Sequence, residues 1–161
     1  MSDPYAEVLW REALALDRGD FDGWLTLYTP DCLFWMPAWR DDGTQTEDPD
    51  RELSLIYYRG RRNLEDRIRR VRSGLSVASA VMPRTAHMIG NVLVEREQPD
   101  RADLNSVFTT HVHDVRTGRS HTYFGRYEHS LTRCDGEWRI ARKVIRLLND
   151  TIPTMLDVYS I

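Results

Sequence analysis

The chain has 161 residues, of which 41% are apolar, 29% charged and 10% aromatic; these are the proportions of one packed globular domain and exclude a disordered or fibrous chain. A formal net charge of −3, from 22 basic and 25 acidic residues, leaves no global positive field, so neither nucleic acid nor an anionic membrane is an expected partner. No apolar run approaches the roughly 18–20 residues of a membrane span, and "MSDPYAEVLW" lacks the basic start and apolar middle of a secretory signal, so a cytoplasmic location is expected.

Asp3 before Pro4 reads as a helix cap and first turn, and Tyr5, Val8, Leu9, Ala13 and Leu16 then share one helical face until Gly19 stops it. Asp20 caps a second helix whose Phe21, Trp24, Leu25 and Tyr28 lie together, with Pro30 closing it. From Asp31 the pattern becomes a short strand ended by Pro37, with Leu33 and Trp35 on one side and Cys32, Phe34 and Met36 on the other. The polar stretch "RDDGTQTEDPD" reads as an exposed connection, and the apolar "ELSLIYY" leads from it to Gly60. Leu64, Ile68, Val71 and Leu75 mark the buried stripe of a third helix. Arg61, Arg62, Arg67, Arg69, Arg70 and Arg72 surround that stripe and read as a solvated or interface face, since no aromatic stacking platform accompanies them.

After Pro83 the chain alternates in four long strand candidates, "RTAHMIGNVLVERE", "LNSVFTTHVHDVRTG", "SHTYFGRYEHSLTRCDG" and "EWRIARKVIRLL", with "RTGR" and "CDGE" as hairpin turns. Helices first and an antiparallel meander second predict a single α+β domain over 1–161: helices within about 4–75, strands within about 84–150, and a tail at 151–161. A strongly curved sheet wrapped on helices makes a cone, whose open end can hold a ligand or be sealed. The tail carries Ile152, Met155, Leu156, Val158, Tyr159 and Ile161, too apolar to hang free, and is expected to pack on the body or on another subunit.

Cys32 and Cys134 are the only cysteines, and without a C-x-x-C or C-x-H spacing they supply no iron–sulfur or zinc site within this chain. His111 and His113 form an H-x-H pair on one strand face; a metal there needs a third ligand such as His121, Asp114 or Glu128, which no recognised spacing ties to them. His87, with Asp17, Asp31 or Tyr57 brought near by the fold, is the candidate for an acid–base dyad in the mouth of the cone, the arrangement of a stand-alone dehydratase or isomerase. An open cone without chemistry would instead make a binding domain. Nucleophile elbows and phosphate loops are absent from the sequence.

"DCLFWMPAW", the following "DP" and "ELSLIYY", "LEDRI", "RTAHMIGNV" and "LLNDTIPTMLDVYSI" together resemble the small (β) subunit of aromatic-ring-hydroxylating dioxygenases, especially the benzoate, toluate and anthranilate group. The resemblance covers nearly the whole chain and implies the cone fold of nuclear transport factor 2 and cystatin-like domains. It implies a non-catalytic, structural subunit in a hexamer of three large and three small subunits, in contact both with the large subunit and with its own copies. The Rieske [2Fe–2S] centre and the mononuclear Fe(II) would sit in the large subunit, with electrons from NADH arriving through a reductase, and this chain would hold no cofactor. Under that resemblance Trp35, Met36, Trp39, Arg61, Arg84, His87 and Tyr159 are expected at subunit contacts, with one of the strand neighbours Phe34 and Trp35 pointing inward.

Overall fold

Asp3 accepts the Tyr5 amide and so caps helix α1 (Pro4–Asp17), whose residues Leu9 and Leu16 are buried. The computed structural model describes residues 3–78, 81–153 and 156–161, with backbone alone over 76–78. Asp20 accepts the Gly23 amide and caps α2 (Phe21–Thr26). That helix is shorter than its apolar spacing suggests: Tyr28 opens strand β1 (Tyr28–Pro37), and Pro30 lies inside the strand instead of closing the helix. The register of β1 against its neighbour shifts between Tyr28 and Leu33, so a residue without an N–H falls where the ladder is interrupted.

Strand β2 (Ser54–Arg59) leads through Gly60 to α3 (Arg61–Ala78), and the four long strands follow as β3 (Arg84–Gln98), β4 (Arg101–His113), β5 (Ser120–Cys134) and β6 (Glu137–Leu147). Gly118 and Gly136 take positive φ in the two expected hairpin turns. The six strands form one sheet in the order β2-β1-β6-β5-β4-β3, with β1 parallel to β6 and the other neighbours antiparallel. Register shifts in β3 and between β5 and β6 bend the sheet, because each extra residue adds local twist.

The helices cover the concave face: α1 lies over β3 and β6, and α3 over β1 and β2. The core between them holds Leu9, Trp24, Phe34, Leu64, Ile68 and Tyr127. The tail ends in a short 3-10 turn, Val158–Ser160, and Val158 and Ile161 are fully buried in that same core. Its terminal residues are thus spent on the body, while Met155, counted above as part of its apolar surface, lies outside the described residues.

Candidate functional site

Where an open cone would receive a ligand, this one holds an ion pair and stacked rings. Glu12 sits on the apolar face of α1, 1% exposed, and Lys143 meets it from β6 with Nζ 2.9 and 3.1 Å from the two carboxylate oxygens. Trp24 Nε1–H donates to Glu12 Oε1 at 3.2 Å, and the Tyr28 hydroxyl donates to the same oxygen. The Lys143 ammonium stands 4.3 Å from the centroid of the Tyr127 ring, and Phe108 stacks on that same ring at 4.1 Å and 2°. Gly125 makes the stack possible, since a Cβ there would lie 2.2 Å from the Arg146 carbonyl oxygen and 3.1 Å from Phe108.

Electrostatics in this interior are dominated by burial. Desolvation raises the Glu12 carboxyl, but Lys143, His129 and the Tyr28 hydroxyl together outweigh it and leave it below the usual range. Desolvation lowers Lys143, opposed by Glu12, and pushes the Tyr28 and Tyr127 hydroxyls well up. His129, with Nε2 3.9 Å from Glu12 and neither ring nitrogen hydrogen-bonded among the described residues, falls to about 3, chiefly through burial. It is a neutral imidazole at physiological pH. None of these residues stood out as a candidate in the sequence, although a glutamate on an otherwise apolar helix face was the available signal for Glu12.

His87 does find an acid. Of Asp17, Asp31 and Tyr57, the fold brings it Asp17, with Nδ1 2.5 Å from Oδ1; the His87 amide donates to Oδ2 and the Thr85 hydroxyl to Oδ1, both at 2.9 Å. Burial raises the Asp17 carboxyl, and the hydrogen bonds from His87 and Thr85 bring it below the ordinary carboxylate value. Yet the imidazole is 1% exposed and among the described residues its Nε2 is buried without a partner, so the dyad has its geometry but is closed off from solvent.

No cluster of three or more His, Cys, Asp or Glu side chains able to hold a metal occurs among the described residues. His111 meets Thr122 and His113 meets Ser120, at 3.2 and 2.7 Å, so the H-x-H pair is engaged with hydroxyls instead of converging on a third ligand. Cys32 is buried on β1 and Cys134 ends β5; among the described residues these two thiols do not come together in the two-Cys, two-His set of a Rieske centre, and the histidines and carboxylates do not converge in the facial triad of a mononuclear iron.

The expected contact residues divide. Met36 is fully buried and belongs to the core, and His87 faces inward to Asp17, so neither is presented at the surface of the chain. Phe34 points into the core as one of the pair was expected to do, but Trp35 on the other strand face is also buried, at 4%, with its indole N–H donating to Ser54 Oγ at 2.9 Å. Trp39 is 38% exposed, where an isolated bridge to Gln45 ties down the connection after β1. Arg84 is exposed beside His111 and His113 in a groove of about 420 Å³. Arg61 is half-buried and donates to the Tyr28 carbonyl; Tyr159 is half-buried against the core.

Residues 11–154 match the family described as the ring hydroxylating beta subunit. The chain is 37% identical, over 97% of its length and 91% of the relative's, to the beta subunit of benzoate 1,2-dioxygenase from Acinetobacter baylyi. It is 39% identical to the small subunit of 2-halobenzoate 1,2-dioxygenase from Burkholderia cepacia, over 95% of this chain and 92% of that one. The crystal structure of the beta subunit of benzoate 1,2-dioxygenase from Burkholderia mallei superposes with a TM-score of 0.83 at 31% identity, covering 100% of both chains. With the cone filled by its own side chains, and the likeness extending over sequence and fold alike, the chain belongs to the ring-hydroxylating dioxygenase beta-subunit family.

Proposed function

We propose that this chain is the non-catalytic small subunit of a cytoplasmic Rieske non-haem iron dioxygenase that dihydroxylates a benzoate- or anthranilate-type aromatic acid. The observation that carries the reading is the occupied cone: Tyr127, Phe108 and the Glu12–Lys143 pair fill the volume that a cone-fold enzyme of this size would need for its substrate. The substrate class follows the benzoate-oxidising relatives. The iron–sulfur cluster and the mononuclear iron, which would supply electron transfer and oxygen activation, belong to the large subunit, since the donor sets of this chain do not fit them. Three copies of this chain assemble with three large subunits, and a reductase delivers electrons from NADH to the large subunit alone.

In this role the residues of the chain orient and support a partner. A rigid core keeps the sheet shape fixed, and exposed side chains such as Trp39 and Arg84 present the contact surface. The test is affinity purification of the tagged chain from a host growing on an aromatic acid, with the mass and visible spectrum of the eluate recorded. Co-elution of a larger chain with iron–sulfur absorption is expected. A colourless particle containing only this chain would overturn the reading and return attention to His87 and Asp17.

A further inference from the structure

Near the edge of the sheet, three buried polar atoms converge from three strands. His87 on β3 lies opposite Thr110 on β4, and on the same inward face Phe108 lies opposite Gly125 and Ser106 opposite Tyr127. Since Gly125 has no side chain, the Tyr127 ring leans along β5 to stack on Phe108, which carries its hydroxyl toward Thr110. Burial and Glu12, then Asp17, raise the pKa of that hydroxyl, and the Thr110 hydroxyl lowers it, so Asp17 and Thr110 both stand beside it. Asp17 is in turn the carboxylate that holds the His87 ring.

His87 Nε2, Thr110 Oγ1 and Tyr127 Oη are buried, and none has a hydrogen-bond partner among the described residues. Leaving one such group unpaired costs a factor of about 5 to 100 in the folding equilibrium, so three together in one corner call for a common partner. Their chemistry is complementary. The Asp17 carboxylate can only accept, and it already takes the Thr85 hydroxyl and the His87 amide, so the proton between it and the ring belongs to His87 Nδ1. That leaves Nε2 of the neutral imidazole an acceptor, facing a tyrosine hydroxyl that donates and a threonine hydroxyl that can do either. None of the three bonds another directly, so they are matched in kind but need a bridge.

We propose that His87, Thr110 and Tyr127 form a closed site for one buried water molecule, held by Nε2, Oγ1 and Oη. The water donates to Nε2, accepts from the Tyr127 hydroxyl and shares a further bond with Thr110, the three bonds usual for an internal water. Other occupants fit worse. An organic ligand would compete with the stacked rings of Phe108 and Tyr127, an anion would face Asp17, and a metal ion would find one imidazole nitrogen beside two hydroxyls. The site has a structural consequence, because β3 is the last strand of the sheet. Water there ties this edge strand to β5, two strands away, and through His87 and Asp17 to α1.

Two measurements on the full chain test it. A high-resolution crystal structure should show a single isolated density peak within hydrogen-bonding distance of all three atoms; its absence overturns the site, whatever the variants do. Urea titrations then compare wild type with Tyr127→Phe, which keeps the ring stack, with Thr110→Val, which keeps the branched shape, and with the double variant. Each single change is expected to lower the folding equilibrium constant ~5-fold, and the double change to lower it by clearly less than the product, since both hydroxyls bond one water. A gain in stability from either change is what a hydroxyl with no partner at all would give, and overturns the proposal. Losses that simply multiply assign the hydroxyls to separate partners and overturn it too. If a variant fails to fold, the wild-type density decides alone. None of these outcomes depends on whether a large subunit is recovered with the chain.

Discussion

His129 is a buried imidazole with no hydrogen bond among the described residues, and its consequence is a pH dependence. Its value of about 3 in the folded chain lies below that of an unfolded histidine, near 6.5, so the unfolded state binds the extra proton between those limits. Stability is therefore fully present above about pH 6.5 and falls as the pH drops, by about 1.4 kcal/mol per unit for one proton. Glu12, depressed below its ordinary value of 4.5, adds loss in the same direction at lower pH. Replacing His129 by Phe should leave stability at pH 7 unchanged or higher, since no hydrogen bond is lost, and should flatten the profile between pH 6.5 and 5 in urea titrations. Lys143→Met has the opposite effect, because it leaves the Glu12 charge buried and unpaired; a loss of about 3–5 kcal/mol is expected at pH 7 by the same titrations. Restoring most of that loss by adding Glu12→Gln, which keeps an acceptor for Trp24 and Tyr28, would identify the unpaired charge as the cause.

At the scale of elements, much of the fold was legible and the errors have definite origins. The caps at Asp3 and Asp20 and the four long strands follow from local chemistry and hydrophobic period and are present, while the third-helix stripe is buried at Leu64 and Ile68 but only half-buried at Val71 and Leu75. Strand β6 was legible as a strand but not in which residues it buries, because its period breaks. Leu131 pairs with Ile140 but Ser130 pairs with Arg142, so one extra residue sits between them and moves the inward set to Lys143, Ile145 and Leu147. Strict alternation from Ile140 would have placed Arg142 and Arg146 inside, and that one-residue slip conceals the partner of Glu12. Phe34 and Trp35 likewise show that a strand with both faces covered has no clean polar side. The tail was ambiguous for another reason: whether Val158 and Ile161 bury on the body depends on a distant pairing of Arg67 Nε with Asp157 at 3.0 Å, which no local pattern encodes. Asp157 also accepts the Val158 amide and caps the final turn. Asp157→Ala should therefore cost about 2–4 kcal/mol and raise amide exchange selectively over 156–161, as hydrogen exchange followed by mass spectrometry would register.

For the whole molecule, the division between filled interior and bare surface decides where a partner can act. An interior whose tyrosines, lysine and glutamate are almost wholly buried transmits no chemistry outward; it holds the sheet in one shape. Large apolar side chains left outside that core are then the places where assembly gains free energy, and Trp39 is among them at 38% exposure, as is Trp10 on α1 at 47%. The neighbours of Trp39 favour a rigid presentation: Arg40 pairs with Glu52, and the Thr46 amide donates to the Ala38 carbonyl at 2.9 Å, so the indole is offered on a braced loop. A preorganised aromatic loses little side-chain entropy on binding, and truncating such an anchor costs about 2 kcal/mol or more, a ~30-fold weakening. Trp39→Ala is expected to weaken assembly with the large subunit by that factor in mass photometry while the melting transition of the isolated chain stays within about 0.5 kcal/mol of wild type. If the melting transition falls and assembly does not, Trp39 serves to pin its own loop through the bridge to Gln45, and the contact surface must be sought around Arg84 and the arginine face of α3.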